Sequence, residues 1–125
     1  MEFASQNGLE DALIKASLGS LSVAEFLAVL LESDIHLLSS TVIGSDGGGF
    51  RPLLFEKEDG SYLAVFTDKL RIQGFAQDFS YCLTMNGRSL FLQFPTGFGM
   101  VINPKCDFGL EVPPQGVADI KRDFL

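Results

Sequence analysis

The spacing of apolar residues predicts a helix near the start of the chain. Leu9, Leu13 and Ala16 recur at intervals of three or four residues, so they share one face of a helix. Asn7 precedes this run and is a suitable N-cap, and the side chain of Glu10 is placed to reach back to the cap. We therefore predict a short amphipathic helix that starts directly after Asn7.

A second helix is predicted by the strongest local signal in the sequence. Ser22 and Glu25 have the spacing of a capping box, and Leu21 and Phe26 are placed to pack around it as a hydrophobic staple. Apolar residues then fill most positions of Val23–Leu31. A helix with so little polar surface is buried on most sides within its own chain, or it is covered by a partner.

After Asp34 the pattern becomes that of short strands separated by turns. Asp59 and Gly60 lie between two apolar runs and indicate a β-hairpin, because glycine supplies the positive φ that such a turn needs. The segment 70–75 is either a strand or a helical turn. A short helix, capped by Asn86 or Thr84, extends to about residue 92. The predicted strands are 35–42, 53–57, 62–66, 81–84, 100–102 and 108–112, and the predicted last helix is 115–122 with Val117 and Ile120 facing inwards.

Helices come first in this order, mainly strands come next, and a helix closes the chain. Short turns favour antiparallel neighbours with the helices packed on the sheet. We therefore predict an α+β or α/β fold, with a mixed, largely antiparallel sheet on which two N-terminal helices and a closing C-terminal helix pack. The length of 125 residues fits a single domain over residues 1–125.

Composition and charge argue against several classes of function. The chain has 9 Lys and Arg against 16 Asp and Glu, so its net charge is −7. Nucleic-acid binding needs clustered basic residues, so we expect none. The longest apolar run is too short to cross a bilayer, and we expect no membrane contact. No basic segment precedes an apolar one after Met1, so we expect a cytoplasmic protein with reduced cysteines.

The negative charge is concentrated in the first half of the chain. Residues 1–62 contain ten acidic and three basic residues, whereas residues 63–125 contain six of each. One interpretation is a solvated acidic surface that keeps the protein soluble. The other is a docking face for a basic protein partner, for which Glu10, Glu32 and Asp34 are the candidate residues. Charge alone does not separate the two interpretations.

Residue types that carry catalysis or bind cofactors are sparse. His36 is the only histidine, and Cys82 and Cys106 form no CxxC pair, so we expect no metal and no other cofactor. Lys105 and Asp107 flank Cys106 and act on its pKa in opposite directions, which gives little support to a catalytic thiol. Cys82 lies in an apolar run, and we expect it to be buried. We predict that the chain is not an enzyme.

A glycine-rich segment at 44–49 is similar to a phosphate-binding loop in composition only. The P-loop pattern places Lys and then Ser or Thr after its last glycine, but Phe50 and Arg51 follow Gly49 here. Asp46 would repel a phosphate. We expect a flexible loop, and the sequence leaves open whether Gly47–Gly49 becomes ordered on binding.

Three segments in the second half resemble one protein family. Residues 63–68, LAVFTD, resemble the strand end vFTs/d of the SseB protein N-terminal domain. Residues 99–104, GMVINP, resemble the family's strand that ends in iNP, and residues 110–113, LEVP, resemble the segment before its last helix. The segments 9–13 and 26–30 lie where the family has its opening helices, so the resemblance covers nearly the whole chain.

The resemblance implies an α+β or α/β domain without established catalytic residues. The family takes its name from enhanced serine sensitivity, and some members are associated with type III secretion, but neither fact implies a molecular activity. Longer members carry a second domain, which we do not expect after Leu125, so functions that depend on that domain are not implied.

The motif residues also have a physical interpretation of their own. Thr67 and Asp68 are residue types that turn the chain and cap the segment after the turn. Asn103 tolerates unusual backbone angles before Pro104, and its amide is able to bridge neighbouring strands. We therefore predict a structural role, rather than ligand contact, for these four residues.

These observations favour a non-enzymatic protein-interaction module, such as a bacterial accessory factor for secretion. An immunity protein that covers a basic toxin is a second form of this hypothesis. The alternatives are an enzyme that uses the Cys106 thiol or binds a small ligand, and a homodimer that associates through Val23–Leu31. The expected partner is a protein, basic in the docking-face interpretation.

Overall fold

The structure of this chain, a computed structural model, describes residues 4–41, 49–75, 79 and 81–125. The elements follow one another in the order that the sequence pattern predicts, with two helices first, mainly strands next and one helix last. The α-helices are α1 (Gly8–Ser17), α2 (Val23–Leu31), α3 (Gly87–Gln93) and α4 (Pro114–Phe124), and a 3-10 helix covers Lys69–Phe75. The strands are β1 (Asp34–Ser39), β2 (Leu54–Lys57), β3 (Gly60–Val65), β4 (Tyr81–Asn86), β5 (Gly99–Ile102) and β6 (Leu110–Val112).

The strands form two sheets, whereas the sequence pattern predicts one. Four strands pair in the order β2-β3-β5-β6, and β1 pairs with β4. Only β3 and β5 are parallel, so the prediction of a mixed, largely antiparallel arrangement in an α+β fold is confirmed. An isolated bridge joins the two sheets, because the backbones of His36 and Phe66 exchange hydrogen bonds of 2.9 and 2.8 Å.

The core has two parts because β3 is covered on both faces. Leu63 and Val65 point towards the α-helices and belong to the larger cluster of buried side chains. The alternate residues Tyr62, Ala64 and Phe66 point to the other face, as the two-residue period of a strand requires. The 3-10 helix packs on that second face. The larger cluster also contains Leu13, Phe26, Leu30, Phe91, Met100, Ile102, and the predicted inner-face residues Val117 and Ile120.

The caps predicted for the first two helices are present. The side chain of Asn7 accepts a hydrogen bond from the Glu10 N–H, and both bonds of the capping box between Ser22 and Glu25 are formed. One detail is different, because the Glu10 carboxylate accepts from the Gln6 N–H rather than from Asn7. Gly19, with φ at +79°, follows the end of α1, where a left-handed residue is needed to stop the helix.

The surface of α2 is more exposed than its composition suggests. Phe26, Leu27, Leu30 and Leu31 are buried, but Val23 is 72% exposed. The helix therefore packs on one side within its own chain, and the expectation that it is buried on most sides is wrong. Together α1 and α2 form a helical hairpin that lies over the sheet.

Two further expectations are resolved on the second half of the chain. The segment 70–75 is helical rather than a strand, and Asn86 caps α3 by accepting from the Arg88 N–H. Cys82 is exposed, so the expectation that it is buried is wrong. In β4 the neighbouring residues Leu83 and Met85 pack on the core, which turns Cys82 outwards.

Residues 42–48, including most of the glycine-rich segment, lie outside the described residues.

No helix among the described residues is long and apolar enough to cross a membrane.

Gly87 allows α3 to approach α2 closely. A Cβ atom added there would lie 2.0 Å from the Leu30 carbonyl oxygen, whereas one added at Gly8 would meet no atom within 4 Å. We expect Gly87→Ala to lower the free energy of unfolding by at least about 2 kcal/mol, because the two helix backbones must move apart. Denaturant unfolding checks this, with Gly8→Ala as the matched control, which should change stability by less than about 0.5 kcal/mol. Equal stabilities of the two variants would contradict the described packing.

Candidate functional site

A buried polar cluster lies at the carboxyl ends of the two parallel strands. Thr67 follows β3, Asn103 follows β5, Glu10 comes from α1, and Arg71 comes from the 3-10 helix. Glu10 is 0% exposed, and Thr67 and Asn103 are each 1% exposed. In open sheets, this end of parallel strands is where ligands commonly bind, so its chemistry bears directly on function. We call Glu10, Thr67, Arg71 and Asn103 the polar cluster.

Asn103 connects the ends of the two parallel strands. Its backbone N–H donates to the Val65 carbonyl at 2.9 Å. Its side-chain oxygen accepts from the Thr67 N–H at 3.0 Å, and its side-chain nitrogen donates to the Thr67 hydroxyl at 2.8 Å. The φ of Asn103 is +53°, a left-handed conformation that asparagine tolerates better than most residues. The Asn103 side chain therefore does in the structure what the sequence predicts, bridging neighbouring strands.

The Glu10 carboxylate is surrounded by donors. Arg71 donates to it from Nε at 2.9 Å and from Nη2 at 2.7 Å, and the Gln6 N–H donates at 2.9 Å. The Thr67 hydroxyl donates to the same carboxylate. Burial by itself raises the pKa of Glu10, but these hydrogen bonds and the charge on Arg71 outweigh it and hold the pKa below its ordinary value. The carboxylate is thus charged near neutral pH and saturated with donors.

Asp68 and Pro104 lie beside the polar cluster. The Asp68 carboxylate accepts from the Leu70 N–H at 2.9 Å, which starts the 3-10 helix, and from the side chain of Asn7 at 3.3 Å. Pro104 is buried directly after Asn103. The structure therefore brings Thr67, Asp68, Asn103 and Pro104 together.

The polar cluster links several elements of the fold, and its side chains already hydrogen-bond within the protein. Among the described residues, every buried side-chain nitrogen and oxygen has a hydrogen-bond partner. A carboxylate that already accepts from four groups is poorly suited to accept a proton from a substrate. The arrangement fits a structural connection between α1, the 3-10 helix and the two strand ends.

The residues proposed for an acidic face are only partly on the surface. Glu10 belongs to the polar cluster, so its inclusion in that face is wrong. Glu32 is exposed and pairs with Arg88 at 2.8 Å, and Asp34 is exposed at the start of β1. Asp11, next to Glu10 in α1, is exposed instead. The amino end of α1 lies beside the carboxyl end of α2, so we call Asp11, Glu32 and Asp34 the acidic end of the hairpin.

Neither cysteine nor histidine belongs to a recognisable catalytic arrangement. Cys106 is half-buried, and burial raises the pKa of its thiol, although the nearby charge of Arg71 lowers it. Nδ1 of the His36 ring lies 2.8 Å from the Thr84 hydroxyl, which is a local hydrogen-bond partner for it. No group of three or more His, Cys, Asp or Glu side chains in the described ranges is arranged to hold a metal ion.

Arg71 is the residue of this site that sequence reasoning missed. It is separated from Glu10 by 61 positions, and its own segment is ambiguous between strand and helix. The only usable signal was that a glutamate inside an amphipathic helix needs a partner if it faces the core.

The comparisons with known proteins give one finding. The model of the family described as SseB protein N-terminal domain matches residues 9–119, a range that includes the helical hairpin, the polar cluster and most of α4. No curated protein and no solved structure matches the chain significantly.

The ion pair between Glu10 and Arg71 makes stability depend on pH. Because the pKa of Glu10 is lower in the folded than in the unfolded chain, its stabilisation is complete above the ordinary pKa and is lost as the pH falls through the folded value. We expect Glu10→Gln to lower the free energy of unfolding by about 3 kcal/mol at neutral pH, because Arg71 loses its charged partner. The difference from the unmodified protein should shrink below about pH 4.

Denaturant unfolding at several pH values measures this difference. Glu56→Gln is the matched control, because Glu56 is exposed and its carboxylate accepts a hydrogen bond from the nearby Ser61 hydroxyl. Its effect should stay within about 0.5 kcal/mol. A Glu10→Gln effect that is equally small, or that grows in acid, would contradict the role of the ion pair.

The two thiols should differ in reactivity. We expect Cys82 to react about tenfold faster than Cys106 with an alkylating reagent near neutral pH, because Cys82 is exposed and burial raises the pKa of Cys106. Mass spectrometry of the variants Cys106→Ser and Cys82→Ser follows each thiol separately. A faster reaction at Cys106 would support the alternative that the chain is an enzyme that uses the Cys106 thiol.

Proposed function

This chain belongs to the SseB protein N-terminal domain family, and we propose that it is a non-enzymatic domain that binds another protein. The observation that carries the proposal is the acidic end of the hairpin. There, Asp11, Glu32 and Asp34 are exposed where two helices and β1 meet. Arg88 pairs with Glu32, whereas Asp11 and Asp34 form no ion pair with another described residue. Such a surface attracts a basic partner and speeds its association.

A cleft adjoins this acidic end. Asn7, Val29, Ser33, Asp34 and His36 are among the residues that line it. Burial and the charge on Lys69 lower the pKa of His36, although Asp68 and Asp34 oppose the shift. The ring is therefore mainly neutral near neutral pH and does not offset the charge of Asp34. A basic side chain of a partner would meet a carboxylate in this cleft.

The interior of the domain gives no support to the enzyme alternative. The polar cluster is saturated with internal hydrogen bonds, and the pKa of the Cys106 thiol is raised rather than lowered. A nucleophile or general base needs a free, activated group. The surface is therefore the better place to look for function.

Two biological roles fit a domain of this kind. One is an accessory factor for secretion in the cytoplasm, since some members of the family are associated with type III secretion. The other is an immunity protein that covers a basic toxin. Both rest on binding a basic protein, so the identity of the captured protein separates them.

Reversing the charge of the three residues of the acidic end tests the proposal. We expect the triple variant Asp11→Lys, Glu32→Lys, Asp34→Lys to lose a partner that the unmodified domain captures from lysate of the source organism, as mass spectrometry would show. Capture should weaken as salt is raised, because salt screens exposed charges. The matched control, Glu56→Lys, Glu58→Lys, Asp107→Lys, makes the same change in net charge at other exposed positions.

Two outcomes would overturn the proposal. If both triple variants lose the partner equally, binding follows net charge and not the acidic end. If the unmodified domain enriches no protein over a control resin, the domain does not act by stable protein binding.

A further inference from the structure

An apolar groove lies at the other end of the helical hairpin. It has a volume of about 370 Å³. Ala16, Val23 and Phe26 line it from α1 and α2, and Leu110 and Ile120 line it from β6 and α4. Val23 is 72% exposed and Leu110 is 41% exposed, so the groove opens to solvent between apolar side chains.

The groove runs along the outer edge of β6. Side chains alternate between the faces of a strand, so Leu110 and Val112 share one face and Glu111 takes the other. Val112 belongs to the core cluster beneath the helices, which places Leu110 on the helical face too. All three residues line the groove, so it reaches around the edge of the strand. Within the described residues, β6 pairs with β5 alone.

The backbone N–H and C=O groups of Glu111 point outwards from this edge of β6. Asn103 donates its N–H to the Val65 carbonyl of β3, so Val101, two residues earlier, also directs its backbone groups towards β3. Val101 stands opposite Glu111 in the antiparallel pair of β5 and β6. In an antiparallel pair of strands, the backbone N–H and C=O groups of two opposite residues either both point towards the other strand or both point away from it. The N–H and C=O of Glu111 therefore point away from β5.

On the face of the sheet opposite the helices, one ion pair reaches across the sheet to β6. Lys57 of β2 binds the Glu111 carboxylate, with 2.7 Å between Nζ and Oε2. A residue that stood beside Glu111 in an added strand would lie on the same face. A basic residue there would be opposite in charge to Glu111, which is 54% exposed at its side chain. The residues before and after it would point to the helical face, into the apolar groove.

We propose that an extended segment of a partner protein adds a strand to the outer edge of β6, with a basic residue beside Glu111 and apolar residues on either side of it. The partner's backbone hydrogen-bonds to the N–H and C=O of Glu111, and its apolar side chains enter the groove. Main-chain bonds give such strand addition its affinity, and the alternate side chains give its specificity. This inference rests on the proposed function, and it adds a second contact, remote from the acidic end of the hairpin.

Binding of a short peptide tests the edge directly. The probe is a capped, labelled peptide in which valine and lysine alternate, and fluorescence anisotropy measures its affinity. Glu111→Pro removes the outward N–H and is tolerated at a strand edge, whereas Glu111→Ala keeps the N–H. Both variants lose the ion pair with Lys57, so their difference isolates the backbone bond. We expect the proline variant to bind about three- to tenfold more weakly than the alanine variant.

The groove has its own matched pair of variants. Val23→Glu places a charge at the groove, and we expect it to weaken peptide binding about tenfold. Leu92→Glu changes a residue that is 63% exposed on α3 and is absent from the groove lining, and it should have no effect. A peptide with glutamate in place of lysine should bind more weakly than the probe, because the added residue then repels Glu111.

Several results would overturn the inference. They are equal affinities for the proline and alanine variants, amide shifts in NMR spectra that fall outside β6 and the groove, and the absence of saturable binding below about 1 mM. If the peptide assay fails while the acidic-end variant still loses its captured partner, only the β6 site is wrong. If the peptide binds as expected but the unmodified domain captures nothing from lysate, the proposed function fails instead.

Discussion

The ion pair between Glu10 and Arg71 is the contact on which the arrangement of the other elements depends. Taking a carboxylate out of water is costly, and the cost is offset only when donors surround it. Here the donors come from the segment before α1, from the end of β3 and from the 3-10 helix. The carboxylate is satisfied in one arrangement of these three pieces, so the pair fixes their relative positions more than it adds net stability.

Asn103 extends the same constraint to β5. Its amide satisfies both the N–H and the hydroxyl of Thr67, and its backbone continues the pairing with β3. The two short motifs that relate this chain to its family, one ending in Thr67-Asp68 and the other in Asn103-Pro104, thus meet in space. Thr67 and Asn103 hydrogen-bond to each other there, at the ends of the two parallel strands.

The surfaces on which a partner can bind are those that the packing of this interior leaves exposed. The helical hairpin covers one face of the larger sheet, and its two ends are chemically different. One end carries the carboxylates of Asp11, Glu32 and Asp34, and the other borders an apolar groove beside β6. A partner that reached both ends would combine electrostatic attraction with apolar contact, which act on association rate and on dissociation rate respectively.

Local spacing was enough to predict the caps at Asn7 and Ser22, the hairpin turn that precedes Gly60, the inward positions of Val117 and Ile120, and the fold class. These depend on residues within a few positions of each other, so the pattern contains all that is needed. The burial of Glu10, the exposure of Cys82 and the division of the strands into two sheets depend instead on how distant elements pack. Glu10 meets Arg71 across 61 positions, and the exposure of Cys82 depends on which face of β4 packs on the core. Contacts of that range arise from how elements pack, which local spacing does not specify.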